Sequence, residues 1–106
     1  MKTVALTVLG LALVVASAAH ALGSSAAGVE IKEFTFAPAA LEIRQGTTVT
    51  WTNHDDIPHT VVSTEKVFKS KVLDTSEKFS FTFSAAGTFP YFCSLHPKMT
   101  GRVIVQ

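Results

Sequence analysis

From residue 29 onward, apolar and polar residues alternate one for one in short runs. Phe79, Phe81 and Phe83 are interleaved with Lys78, Ser80 and Thr82, and Val49 and Trp51 with Thr48, Thr50 and Thr52. Successive side chains of a strand point to opposite faces, so each run makes a ribbon with one apolar and one wet face. Such ribbons become stable when their apolar faces close on one another. Turn formers interrupt the runs at Pro38, Gln45-Gly46, Ile57-Pro58, Asp74-Thr75-Ser76, Ala85-Ala86-Gly87 and Pro97. The pattern predicts an all-β sandwich with strands at about Val29 to Phe36, Ala40 to Arg44, Thr47 to Asn53, His59 to Ser63, Lys78 to Phe83, Phe89 to Cys93 and Arg102 to Val105. Through Val67, Phe68, Val72 and Leu73, the segment Thr64 to Leu73 fits a short helix or an irregular extended stretch; we read it as irregular.

Composition narrows the function. The chain has 106 residues, and its 8 Phe, 1 Trp and 1 Tyr all fall between Phe34 and Phe92, which suits one domain with a packed core. The net charge of +1, with no like-charge run longer than Asp55-Asp56, argues against a nucleic-acid partner. A single cysteine, Cys93, excludes an intrachain disulfide scaffold.

At the N-terminus, Met1 and Lys2 precede an apolar run from Val4 to Ala16 and then Ala19-His20-Ala21, an A-x-A cleavage pattern. We read residues 1–21 as a secretory signal peptide, since the apolar stretch falls short of the roughly 20 residues of a spanning helix. Residues 22–28 then form a flexible tail and residues 29–106 the folded domain. The expected product is a soluble, periplasmic protein with no membrane insertion. Loss of Lys2 leaves 8 basic residues against 8 acidic ones, and the mature chain keeps one Cys and one Met. An unpaired cysteine in an oxidising compartment is a liability unless it is buried or bound.

Cys93, His96 and Met99 stand in the pattern C-x-x-H-x-x-M, on one loop between two expected strands. Alone, each has an ordinary reading: a buried small hydrophobe, a loop histidine, a core filler. Together they are a donor set. A fourth donor comes from His59, which starts its own strand after Ile57-Pro58; His54, beside Asp55 and Asp56, is its competitor and reads better as a solvated turn residue. Zinc does not use methionine, and calcium and magnesium want oxygen. Two imidazoles, a thiolate and a weak thioether suit copper in a geometry tolerable to both Cu(I) and Cu(II), which points to electron shuttling.

The run Gly87 to Val105, with Pro58-His59-Thr60-Val61 upstream, resembles the cupredoxins of the plastocyanin and amicyanin type, and its two-residue gap between His96 and Met99 is similar to the short ligand loop of amicyanin. The resemblance implies a Greek-key sandwich of about seven or eight strands and one type 1 copper held by His59, Cys93, His96 and Met99. It further implies that Thr60 gives its backbone N–H to the cysteine sulfur, with Ser94 as a partner in tying its strand to the ligand loop. An enzyme is not expected: related copper oxidases need a second centre, usually with a histidine beside the cysteine, and Cys93 is flanked by Phe92 and Ser94. The competing function is a periplasmic copper carrier or sensor using the same ligands. The expected electron port is the His96 edge, framed by Leu95, Pro97, Ile57 and Pro58. A c-type cytochrome or a dehydrogenase would dock there transiently on a monomer, while Phe92 points to the strand face opposite Phe89, Tyr91 and Cys93.

Overall fold

In the computed structural model, residues 25–106 are described. The expected signal peptide and residues 22–24 of the expected tail lie outside them. Within these residues there is no helix. Eight strands form: β1 (Ala26–Lys32), β2 (Thr35–Ala37), β3 (Ala40–Ile43), β4 (Thr47–Asn53), β5 (Val62–Ser63), β6 (Lys78–Phe83), β7 (Gly87–Cys93) and β8 (His96–Val105). They make two four-stranded sheets, ordered β2-β1-β4-β6 and β3-β8-β7-β5. The all-β sandwich expected from the alternation is the fold.

The core follows from the period of two. Along β4, Thr47, Val49, Trp51 and Asn53 turn inward while the threonines between them stay half-exposed. Trp51 crosses the sandwich to meet Tyr91 of β7 edge-on at 5.4 Å, and Phe68 and Phe79 flank it at 5.6 Å each. Phe68 comes from the irregular stretch after β5, which stays irregular because it is held by isolated pairings, Val62 with Lys69 and His59 with Leu73. The Ser63 hydroxyl supports its first turn by accepting the N–H of Glu65 and of Val67.

Four boundaries differ from expectation, each for a physical reason. The expected strand Val29 to Phe36 is a hairpin, β1 and β2, with Ile31 opposite Phe36 and Lys32 opposite Thr35. Its two-residue turn, Glu33-Phe34, has φ of 54° and 58°, as a type I′ turn requires. Neither residue is one of the Asn, Asp or Gly that announce such a turn in sequence. Second, the expected tail gives up Ala26–Gly28 to β1, which pairs parallel with β4 from Ala26 opposite Thr48 onward. Ser25 anchors that end, its hydroxyl 2.8 Å from that of Thr47 and its carbonyl accepting the N–H of Thr48. Third, the expected strand His59 to Ser63 contracts to β5, because His59 pairs with Leu73 instead. Fourth, β8 begins at His96, so the ligand loop is the end of a hairpin rather than a free loop.

One glycine is fixed by packing. A Cβ on Gly101 would sit 2.5 Å from the Tyr91 hydroxyl oxygen and 2.6 Å from the ring carbon that bears it. Tyr91 cannot retreat, since it is wedged between Trp51 and Phe36. Gly101→Ala is expected to cost about 1–3 kcal/mol in thermal or urea unfolding. Burial pushes the Tyr91 phenol up to about 12, and its hydroxyl finds no hydrogen-bond partner among the described residues. Tyr91→Phe therefore loses little, and it recovers part of the Gly101→Ala loss in the double variant.

Candidate metal centre

The C-x-x-H spacing is the spacing of a two-residue hairpin turn. Cys93 ends β7, Ser94 and Leu95 make the turn, and His96 pairs directly opposite Cys93. The ladder then slips, because Phe92 pairs with Thr100. Pro97, Lys98 and Met99 are the residues taken up on the β8 side by this irregularity, and Met99 turns inward, only 6% exposed. One hairpin thus places a thiol, an imidazole and a thioether within a single turn of chain.

His59 shortly precedes β5, which neighbours β7 in the same sheet, and its backbone is fixed twice: its N–H donates to the Leu73 carbonyl and its carbonyl accepts from the Leu73 N–H. Asn53 shapes the approach. This fully buried side chain donates to the carbonyls of Ile57 and Leu73, and its oxygen accepts the N–H of Asp55.

The nitrogens of His59 and His96 and the sulfur of Cys93 lie within 4.8 Å of one another. Nδ1 of His59 is 3.8 Å and Nδ1 of His96 3.6 Å from Sγ of Cys93. The sulfur is fully buried yet favours the thiolate. Burial pushes the thiol up, but the backbone N–H of Thr60, the imidazoles of His59 and His96 and the N–H of Leu95 together outweigh it and bring it down to about 6. The tie implied by the resemblance is present. Thr60 N–H donates to Sγ at 3.4 Å, and the Thr60 hydroxyl accepts the Ser94 N–H at 2.7 Å and lies 2.8 Å from the Ser94 hydroxyl.

Two residues of this centre were not singled out as part of it in the sequence. Asp55 Oδ2 accepts the Nε2–H of His59 at 2.7 Å, which places a proton on Nε2 and turns Nδ1 toward the sulfur. Burial raises the Asp55 carboxyl, but the N–H groups of Phe34 and Glu33 and the His59 imidazole outweigh this and hold it below its ordinary value. Phe34 lies edge-on to both imidazoles, 5.4 Å from His59 and 5.0 Å from His96. His54, by contrast, is exposed and stands outside the donor group. Phe92 is half-buried, paired with Val62 and Thr100.

A family model described as a cupredoxin-like domain matches residues 5–105. The chain belongs to the cupredoxins. It is 34% identical over 94 residues to amicyanin of Paracoccus denitrificans, covering 84% of this chain and 72% of that protein. It is 33% identical over 109 residues to the chloroplastic plastocyanin of Tetradesmus obliquus, covering 87% and 75%. Among solved structures, a novel purple cupredoxin from Nitrosopumilus maritimus superposes with a TM-score of 0.72 at 35% identity, covering 76% of this chain and 99% of that one. This cupredoxin is therefore a type 1 copper electron-transfer protein and not an enzyme.

The donor set fits that cofactor. A metal bonded to nitrogen at about 2.0 Å and to sulfur at about 2.3 Å, with angles between tetrahedral and trigonal, sets the two donors roughly 3.5–3.7 Å apart. The observed 3.6 and 3.8 Å match this within a small adjustment of the rings. Met99 is buried and lines the same depression as His96, and a thioether is a donor that copper tolerates and zinc does not.

Proposed function

We propose that this cupredoxin is a soluble periplasmic monomer that carries single electrons between redox proteins. Its copper would be held by Nδ1 of His59 and of His96, Sγ of Cys93 and the Met99 thioether. The observation that carries the assignment is the convergence of three donors around one buried, thiolate-favouring cysteine. Bound there, copper supplies one-electron Cu(I)/Cu(II) chemistry. The chain does the rest: the Asp55 and Thr60 hydrogen bonds hold ring and sulfur in place, so the donors need little rearrangement when the charge changes. The burial of His59, Cys93 and Met99 favours electron transfer over ready metal exchange, the property a copper carrier or sensor would need. Export would follow from the signal peptide read at residues 1–21.

Electrons would pass through the half-exposed His96. Beside it stand Phe34, 45% exposed, and its turn neighbour Leu95, 47% exposed, a small apolar patch with Lys98 at its edge, suited to transient docking of a c-type cytochrome or a dehydrogenase. Leu95→Lys is expected to slow electron transfer to such a partner by about tenfold in stopped-flow mixing, because a lysine must be desolvated on docking. The same substitution leaves the visible spectrum unchanged.

One equivalent of Cu(II) added to the purified mature protein tests the assignment. An intense visible absorption from thiolate-to-copper charge transfer is expected, at one copper per chain. A colourless product overturns it.

A further inference from the structure

The turn beside the metal centre is made from residues poorly suited to it. Glu33 and Phe34 both occupy the left-handed region, at φ 54° and 58°, where a bulky side chain is disfavoured. Such a conformation persists only where its surroundings over-determine it. Here the determinant is Asp55. Its Oδ1 accepts the Glu33 N–H at 2.6 Å and its Oδ2 accepts the Phe34 N–H at 3.0 Å, while the same Oδ2 accepts Nε2–H of His59 at 2.7 Å. One carboxylate joins the tip of the β1–β2 hairpin to the ring of His59.

Burial of Phe34 does not explain its position, since the side chain stays nearly half-exposed. What it gains is contact with the edges of two imidazoles. His96 is the half-exposed member of the donor group, and a depression of about 490 Å³ lined by Phe34, His96, Pro97, Lys98 and Met99 opens beside it. The Phe34 ring thus stands against His96 on the side where this depression opens.

We propose that Phe34 is a positioning residue, a clasp that holds the His59 and His96 rings in the metal-ready arrangement and closes the solvent side of the centre, with Asp55 as its latch. The inference rests on the copper-site assignment above. It makes retention of the metal, and shielding of Cys93, properties of the hairpin tip as well as of the donors.

The decisive variant is Glu33→Asn with Phe34→Gly, which suits a type I′ turn and so keeps the hairpin while removing the ring. Two rates are measured. In the copper-loaded protein, the rate of copper loss to excess EDTA is expected to rise on the order of tenfold, as loss of two edge-on aromatic contacts allows. In the metal-free protein, labelling of Cys93 by an aromatic disulfide reagent is expected to rise by a similar factor. The thermal midpoint stays level or rises, and Phe34→Tyr, which keeps the ring, keeps the parent rates. Copper-loss and labelling rates within twofold of the parent, in a double variant that retains its sheet spectrum, overturn the clasp. Failure of the parent to bind copper would sink the site assignment instead, and the metal-free labelling rates would still decide the clasp.

Discussion

Replacing Cys93 with serine abolishes the charge-transfer absorption of the copper-loaded protein and weakens copper binding by more than roughly 100-fold, beyond the range that loss of an outer-shell partner produces. The thiol, brought down to about 6, is ionised at neutral pH, and a serine hydroxyl in the same place is not. The Thr60 N–H that donates to the sulfur can donate to a serine oxygen, so the hairpin end survives and the loss is specific to the metal. Equilibrium copper titration with the visible spectrum checks both parts. Binding of equal strength in the serine variant would remove Cys93 from the centre.

The same pair of proteins, free of metal, gives a pH test. The thiol is lowered from 9.0 to about 6, so the folded state releases a proton that the unfolded chain still binds between those values. Its contribution to stability is fully present above about pH 9 and is lost as pH falls through about 6. The urea midpoint of the parent minus that of Cys93→Ser should therefore grow from pH 6 to pH 9. A difference that stays flat across this window would show that the thiol is not ionised in the metal-free fold.

The fold was legible where side-chain alternation reports burial directly, as in β4 and β6, where Trp51, Phe79 and Phe81 occupy the positions that the alternation selects. It was less legible where pairing is set by the neighbour. Ala26–Gly28 have little strand preference of their own and join the sheet because β4 offers them a partner. The Glu33-Phe34 turn carries no turn signal because its determinant, Asp55, lies about twenty residues away. At the metal centre, residue type and spacing pick out Cys93, His96 and His59, which the structure brings together, and Met99, which lies buried beside the same depression as His96. Asp55 is not picked out: a carboxylate after Asn53-His54 reads as a solvated turn until the loop is folded. The one available signal was its place four residues before His59, which becomes meaningful only when Asn53 curls the loop back on itself.

Asp55→Ala is expected to lower copper affinity by about 10- to 100-fold, although the residue touches no metal. Without the carboxylate, the buried Nε2 of His59 loses its partner, and the energetic preference for a proton on Nε2, which keeps Nδ1 free for a metal, goes with it. The freed N–H groups of Glu33 and Phe34 lie at the surface and can turn to water, so the stability cost is smaller than the loss in affinity. Asp55→Asn separates the parts: its single oxygen can still accept from His59, but it cannot serve both hairpin N–H groups as two oxygens do, and it should fall between parent and alanine variant. Nitrogen-15 NMR of the metal-free proteins reads the His59 tautomer directly, with Nε2–H dominant in the parent and mixed in Asp55→Ala. Removal of the Phe34 ring should leave that tautomer unchanged, which distinguishes the carboxylate's hold on the ligand from its hold on the clasp. An alanine variant with parental copper affinity and an unmixed tautomer would mean that the packing around His59, not Asp55, orients the ring.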